Sequence, residues 1–112
     1  MIKLILLGTL TVTSYRAVPA QTKPTCTDRH HCETSTGENV SELGLAVSQD
    51  LLLSGRVKYG DIVCVEGYPC RIAFDTMAPR NRNAVDLFMY TKAEERAVGV
   101  RHLKVWVAQR EQ

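Results

Sequence analysis

The sequence predicts a mainly β protein: a closed barrel of short strands with one or two short helices. Three observations lead there. Short stretches rich in Val, Ile, Leu and Thr recur along the chain, bounded by Gly, Pro or Asn. Helical signals are confined to two small segments, so strands do not alternate with helices as a parallel α/β sheet requires. A chain of 112 residues holds one modest core with no room for a second, so residues 1–112 are expected to form a single domain.

Taken in order, residues 3–15 read as the first strand, in which Thr11-Val12-Thr13 alternates polar and apolar. A polar stretch follows through Asn39, punctuated by Pro19, Pro24 and Gly37. Leu45-Ala46-Val47 is a short strand, and residues 49–54 a short helix. Ser48 is placed to cap that helix, Asp50 suits its positive first turn, Leu51-Leu52-Leu53 pack, and Gly55 ends it. Residues 62–66 and 71–74 are strands joined by a Gly67-Tyr68-Pro69 turn, and Val85, Leu87, Phe88 and Met89 form another apolar run. Thr91 and Glu94 have capping-box spacing, which starts a helix expected to end near Gly99. Leu103, Val105 and Val107 then alternate with Lys104, Trp106 and Ala108 as a half-buried last strand. Trp106 lies on the face opposite those aliphatics, to pack against a helix or to serve as a sugar platform. His102 reads as a surface residue.

Composition excludes several classes. A net charge of +2 and few aromatics, not interleaved with a basic stripe, argue against nucleic acid. No apolar run is long enough to span a bilayer, so no stable membrane insertion is expected. Lys3 before a short apolar run, with Val18-Pro19-Ala20 downstream, has the outline of a signal peptide. Gly8, Thr9, Thr11 and Thr13 interrupt that run, and cleavage after Ala20 would remove the first strand. The expectation is therefore a strand and no convincing signal peptide.

Four cysteines fall as Cys26-x5-Cys32 and Cys64-x5-Cys70. Either spacing can close a short disulfide loop, and connectivity stays open. Cys64, between Val63 and Val65, reads most simply as a buried thiol. Cys26, His30, His31 and Cys32 lack the paired spacing of structural zinc, and adjacent histidines converge poorly on one ion. No metal and no cofactor are expected.

The chemistry-bearing feature is a pair of aspartates eleven residues apart, Asp75 after the strand Arg71–Phe74 and Asp86 within Val85-Asp86-Leu87-Phe88. A carboxylate in an apolar β run is costly unless paired, hydrogen-bonded or protonated, and such groups are candidates for acid/base work. Taken singly, each has a structural explanation: Asp75 capping the loop backbone, Asp86 pairing with Arg80 or Arg82.

Together, Asp75-Thr76-Met77 and Asn83-Ala84-Val85-Asp86-Leu87-Phe88 resemble the signature of the three-aspartate (3D) domain family of murein-cleaving double-psi β-barrels. Thr11-Val12-Thr13-Ser14-Tyr15 is similar to that family's opening strand, and Pro19–Thr22, Thr34–Gly37, Ala46–Ser48, Gly60–Tyr68 and Gly99–Val105 fit its remaining segments. The resemblance implies a six-stranded double-psi barrel. It implies a peptidoglycan lytic transglycosylase that cleaves the β-1,4 bond between N-acetylmuramic acid and N-acetylglucosamine and forms a 1,6-anhydro ring. Asp86 matches the catalytic acid/base and Asp75 the second aspartate. Thr13, Tyr15 and Thr76 fall on groove-lining positions.

Two departures stand out. The family's first aspartate is replaced by Ser48, with Asp50 two residues on. If this segment is extended, Asp50 shares a side with Ser48 and can substitute; if it is helical, Asp50 is a first-turn residue. Met77-Ala78-Pro79 stands where many members have Gly-Gly, so this loop is less permissive. The expected partners are peptidoglycan glycan strands, met by a monomer at the cell wall or periplasm. Without a signal peptide, release through membrane lesions, as for a bacteriophage lysis enzyme, is the expected route. The alternatives are a two-aspartate glycoside hydrolase and a non-catalytic expansin-like glycan-binding module.

Overall fold

The computed structural model describes residues 2–16, 44–89 and 91–110. Its elements are β1 (Ile2–Tyr15), β2 (Gly44–Val47), α1 (Gln49–Leu53), β3 (Ile62–Val65), β4 (Arg71–Thr76), β5 (Ala84–Phe88), α2 (Lys92–Val98) and β6 (Arg101–Arg110). The six strands close into a barrel in the order β1-β5-β2-β4-β3-β6. Pairs β1–β5 and β2–β4 are parallel, and the other neighbours are antiparallel. The mainly β closed barrel with two helices, one of them short, is thus what the chain forms. The segments 19–22 and 34–37 and the cluster Cys26, His30, His31, Cys32 lie outside the described residues.

The barrel is filled from every strand. Val12, Leu45, Val47, Val63, Val65, Ala73, Val85, Leu87, Val105 and Val107 form one core with Leu51 of α1 and Val98 of α2. Burying a Val or Leu side chain contributes roughly 1.5–3 kcal/mol, so this layer is the main stabilising term. β5 alternates cleanly: Val85 and Leu87 enter this core, while Ala84 and Phe88 join a smaller cluster with Tyr15, Ala46 and Met77. Asp86 lies between these two and shares their face.

Two irregularities decide which other side chains reach that second face. In β1 the register with β6 skips between Leu6 and Gly8, and Gly8 adopts φ +127°, open to glycine. Arg56 donates to the Leu7 carbonyl beside the skip. Ile5 and Leu7 pack on the core before it, Leu10 and Val12 after it. Tyr15, and Thr13 by alternation, are thereby turned to the other face. In β4 the register with β2 skips between Leu45 and Ala46, opposite Ala73 and Asp75. Ala73 consequently packs in the core while Asp75, two residues later, does not.

Local expectations hold in part. The capping box forms: Glu94 N–H donates to Thr91 Oγ1 (3.1 Å), and Thr91 N–H to Glu94 Oε1 (3.0 Å). Gly99 ends α2 with φ +60°. Ser48 occupies the N-cap position of α1, but its hydroxyl does not cap the helix; it accepts the Ala84 N–H of β5 (3.1 Å). Leu51 is buried, whereas Leu53 faces solvent, because five residues of helix present only one inward face. Cys64 is not a buried thiol. Alternation turns Val63 and Val65 inward and Cys64 outward, where the hairpin brings Cys70 to a Cα–Cα distance of 4.1 Å and a disulfide joins them. Trp106 shares its outward face with its cross-strand neighbours Leu6 and Cys64.

Candidate active site

The strand register lines up one lateral row of residues across four strands. Thr13 of β1 is opposite Asp86 of β5, Asp86 is opposite Ala46 of β2, and Ala46 is opposite Asp75 of β4. The two aspartates are thus separated by one strand carrying the smallest chiral side chain. Two interstrand spacings set their backbones about 10 Å apart, and the methyl group of Ala46 leaves the space between them open. A cavity of about 190 Å³ lies there, lined by Tyr15, Ala46, Asp75 and Asp86 and overhung by the β4–β5 loop.

Asp86 is the perturbed group. Burial is the largest influence and raises its pKa from 3.8 to about 6. Thr13 Oγ1 donates to Asp86 Oδ1 (2.8 Å), which opposes the rise, while the charges of Glu95 and then Asp75 add to it. Because the Thr13 bond occupies Oδ1, the carboxyl proton belongs on Oδ2. Asp75 accepts the N–H of Thr76 (2.8 Å), and Thr76 Oγ1 donates to the Val47 carbonyl (3.2 Å), which fixes the end of β4 on β2.

Tyr15 stands edge-on to Phe88, with ring centroids 5.8 Å apart. Its hydroxyl is buried and has no hydrogen-bond partner among the described residues. Burial, then the charges of Asp75 and Asp86, push its pKa well above the usual range, so it remains a proton-bearing donor. Beneath it Arg71, 7% exposed, donates from Nη1 to the Phe88 carbonyl (2.6 Å), and its charge acts on Tyr15.

Five of the six residues singled out in the sequence meet here: Asp75, Asp86, Tyr15 and Thr76 line the cavity, and Thr13 holds Asp86. Asp50 is not among them. Residues 49–53 are helical rather than extended, and the Asp50 carboxylate accepts the N–H of Asn83 (3.1 and 3.3 Å) at the far end of the loop. Slight desolvation raises its pKa, but the Ser48 hydroxyl, the Asn83 N–H and the Arg82 charge outweigh this and hold it below the usual carboxylate range. Asn83 itself has φ +46°, so Asp50 pins a backbone that non-glycine residues seldom adopt. Asp86 pairs with neither Arg80 nor Arg82; among the described residues the ion pair is Arg16–Glu95 (3.2 Å).

Sequence reasoning missed Arg71 and Glu95. Arg71 read as the polar start of a strand, and nothing local signals its burial. Glu95 follows the capping glutamate, but only the Ser14 hydroxyl on the Glu95 carbonyl (3.0 Å) and the Arg16 pair bring it to β1. Among the described residues no group of three or more His, Cys, Asp or Glu could hold a metal ion. No described helix is long and apolar enough to cross a membrane. Comparison with known proteins returns no match to any family model, curated protein or solved structure.

Proposed function

We propose that the chain is a peptidoglycan lytic transglycosylase of the 3D-domain, double-psi type, acting on glycan strands at the cell wall. The observation that carries this reading is Asp86: a carboxyl raised to about 6 by burial, in a cavity shared with a second carboxylate. One such group suffices for the reaction. Protonated Asp86 gives its Oδ2 proton to the glycosidic oxygen as the C1–O bond breaks. The resulting carboxylate takes the proton of the same sugar's C6 hydroxyl as O6 bonds to C1. No water is consumed, and Asp86 ends protonated as it began. Asp75 faces the positive charge that develops on the ring, Thr13 keeps the reactive oxygen of Asp86 turned to the cavity, and Tyr15 forms part of the cavity wall.

A second reading is favoured by one feature. The strand between Asp75 and Asp86 leaves room for a water, the arrangement of an inverting two-aspartate hydrolase. Mass spectrometry of the fragments released from purified murein decides. Ends lighter by one water are anhydro ends and support the transglycosylase; reducing ends support the hydrolase. Intact murein after prolonged incubation with folded protein rejects both.

A further inference from the structure

The β4–β5 loop presents one cation to the cavity from a held turn. Asn81 N–H donates to the Ala78 carbonyl (3.0 Å), closing a four-residue turn with Pro79 at its second position, where the ring fixes φ. The Asn81 side-chain amide adds a bond to the same carbonyl (3.3 Å). On the β4 side the loop is tied by Met77 N–H to the Val47 carbonyl (2.9 Å), and on the β5 side by Asp50 to Asn83. Arg80 is the third residue of this turn.

Arg80 lines the same cavity as Asp75 and Asp86, is exposed, and forms no ion pair among the described residues. It is not among the groups acting on Asp86, whose field comes from Glu95 and Asp75. Its neighbour Arg82 is engaged in the field of Asp50. The guanidinium therefore keeps its planar donor fork available for an anion arriving with a ligand. A ligand bringing a carboxylate meets the negative field of Asp75, and a cation on the rim offsets it where the carboxylate stays outside the floor.

We infer that Arg80 binds a carboxylate substituent of the glycan, so that the site selects acidic wall strands over neutral N-acetylglucosamine polymers. This rests on the glycan-cleaving reading above. In wall glycan the carboxylate has two sources, the lactyl ether of a peptide-free strand and the stem peptide of a substituted one.

The test compares three probes on wild type, Arg80→Gln and Arg80→Lys: peptide-free glycan strands, peptide-bearing strands and an N-acetylglucosamine hexamer. Binding is measured by calorimetry and cleavage by KM and kcat, with thermal melts confirming that the exposed substitutions leave the fold intact. Wild type should favour at least one acidic probe over the hexamer. Arg80→Gln should shrink that acidic-to-neutral ratio about fivefold, through KM rather than kcat, as expected for an exposed charge pair. Arg80→Lys should restore part of it, since one ammonium replaces the charge but not the fork. A preference already present in peptide-free strands assigns the lactyl carboxylate; one that appears only with peptides assigns the stem. A ratio unchanged in Arg80→Gln, or a wild type that binds acidic and neutral probes equally, overturns the inference. Wild type that binds with this preference but cleaves no murein keeps the Arg80 assignment and sinks the enzymatic reading.

Discussion

The two ends of β4 are held by different kinds of bond. Just before Arg71, Cys70 is tied covalently to Cys64, so the β3–β4 hairpin cannot open. Beyond Asp75 the described chain is held by the packing of Met77 and by hydrogen bonds, from Thr76 Oγ1 and Met77 N–H to the Val47 carbonyl and from Asn83 N–H to Asp50. Each such bond is worth about 1 kcal/mol, and those of Thr76 and Met77 lie beside the cavity. The strand is thus locked covalently at its start and held by weaker contacts where the cavity opens.

The comparison breaks most visibly at Asp86. Asp86→Asn should lower murein cleavage by about 10²–10⁴-fold while leaving the melting temperature at or above wild type, because a buried carboxyl is replaced by a neutral isostere. Muropeptide release beside circular dichroism reads both. A folded variant that still cleaves at near wild-type rate removes Asp86 from the acid/base role.

The locked end should respond in the opposite way. Replacing both Cys64 and Cys70 by Ser should cost about 2 kcal/mol of stability by restoring freedom to the unfolded chain. Cleavage per folded molecule should stay within about twofold, since neither cysteine lines the cavity. Denaturant melts and initial rates test this, and a tenfold loss of kcat would show the two ends to be coupled.

At the more weakly held end, Asp50→Ala should cost about 1–2 kcal/mol by leaving the Asn83 N–H without its charged acceptor. Hydrogen exchange at Asn83 should accelerate and KM should rise more than kcat falls. Unchanged exchange at Asn83 would remove Asp50 from the loop.

The subtlest effect is a displacement of the pH dependence by Thr13→Val. The folded state holds the Asp86 proton with a pKa of about 6, against 3.8 for the ordinary carboxyl, so it binds more protons than the unfolded chain between those values. The stabilising contribution is full below about pH 4 and is lost as pH rises through about 6, roughly 3 kcal/mol in all. Cleavage, which needs the acid form, should decline over the same range. Thr13→Val removes the bond that opposes the shift and should move both profiles upward. A downward or absent movement would show that Thr13 does not set the proton affinity of Asp86.

Much of this was legible in the sequence. Alternation marked parts of β1 and β6 and short apolar runs marked β2 to β5, Thr91 and Glu94 announced α2, and the spacing of Asp75 and Asp86 pointed to a shared site. The illegible parts have physical reasons. The Ser48 hydroxyl satisfies a distant strand rather than its own helix, and Cys64 faces outward because both its neighbours fill the core. Glu95 influences Asp86 only through the docking of α2 on β1, a contact between residues some eighty positions apart. The register skips at Gly8 and in β4 are the deepest omission, because alternation read along a strand assumes that inward and outward never exchange.

That exchange at Gly8 makes β1 two reading frames spliced at one residue. Gaining or losing a residue between Ile2 and Leu7 inverts only the distal ribbon, and the skip can absorb it. The same change between Thr9 and Thr13 drives Thr13 and Tyr15 into the barrel and expels Leu10 and Val12. Two relatives of this fold can therefore differ in length before position 8 and share a site, while a one-residue gap placed after it by an alignment marks either an error or a different protein. Gly8, which does not line the cavity and would admit a methyl group sterically, is where the lineage of the site is kept in step.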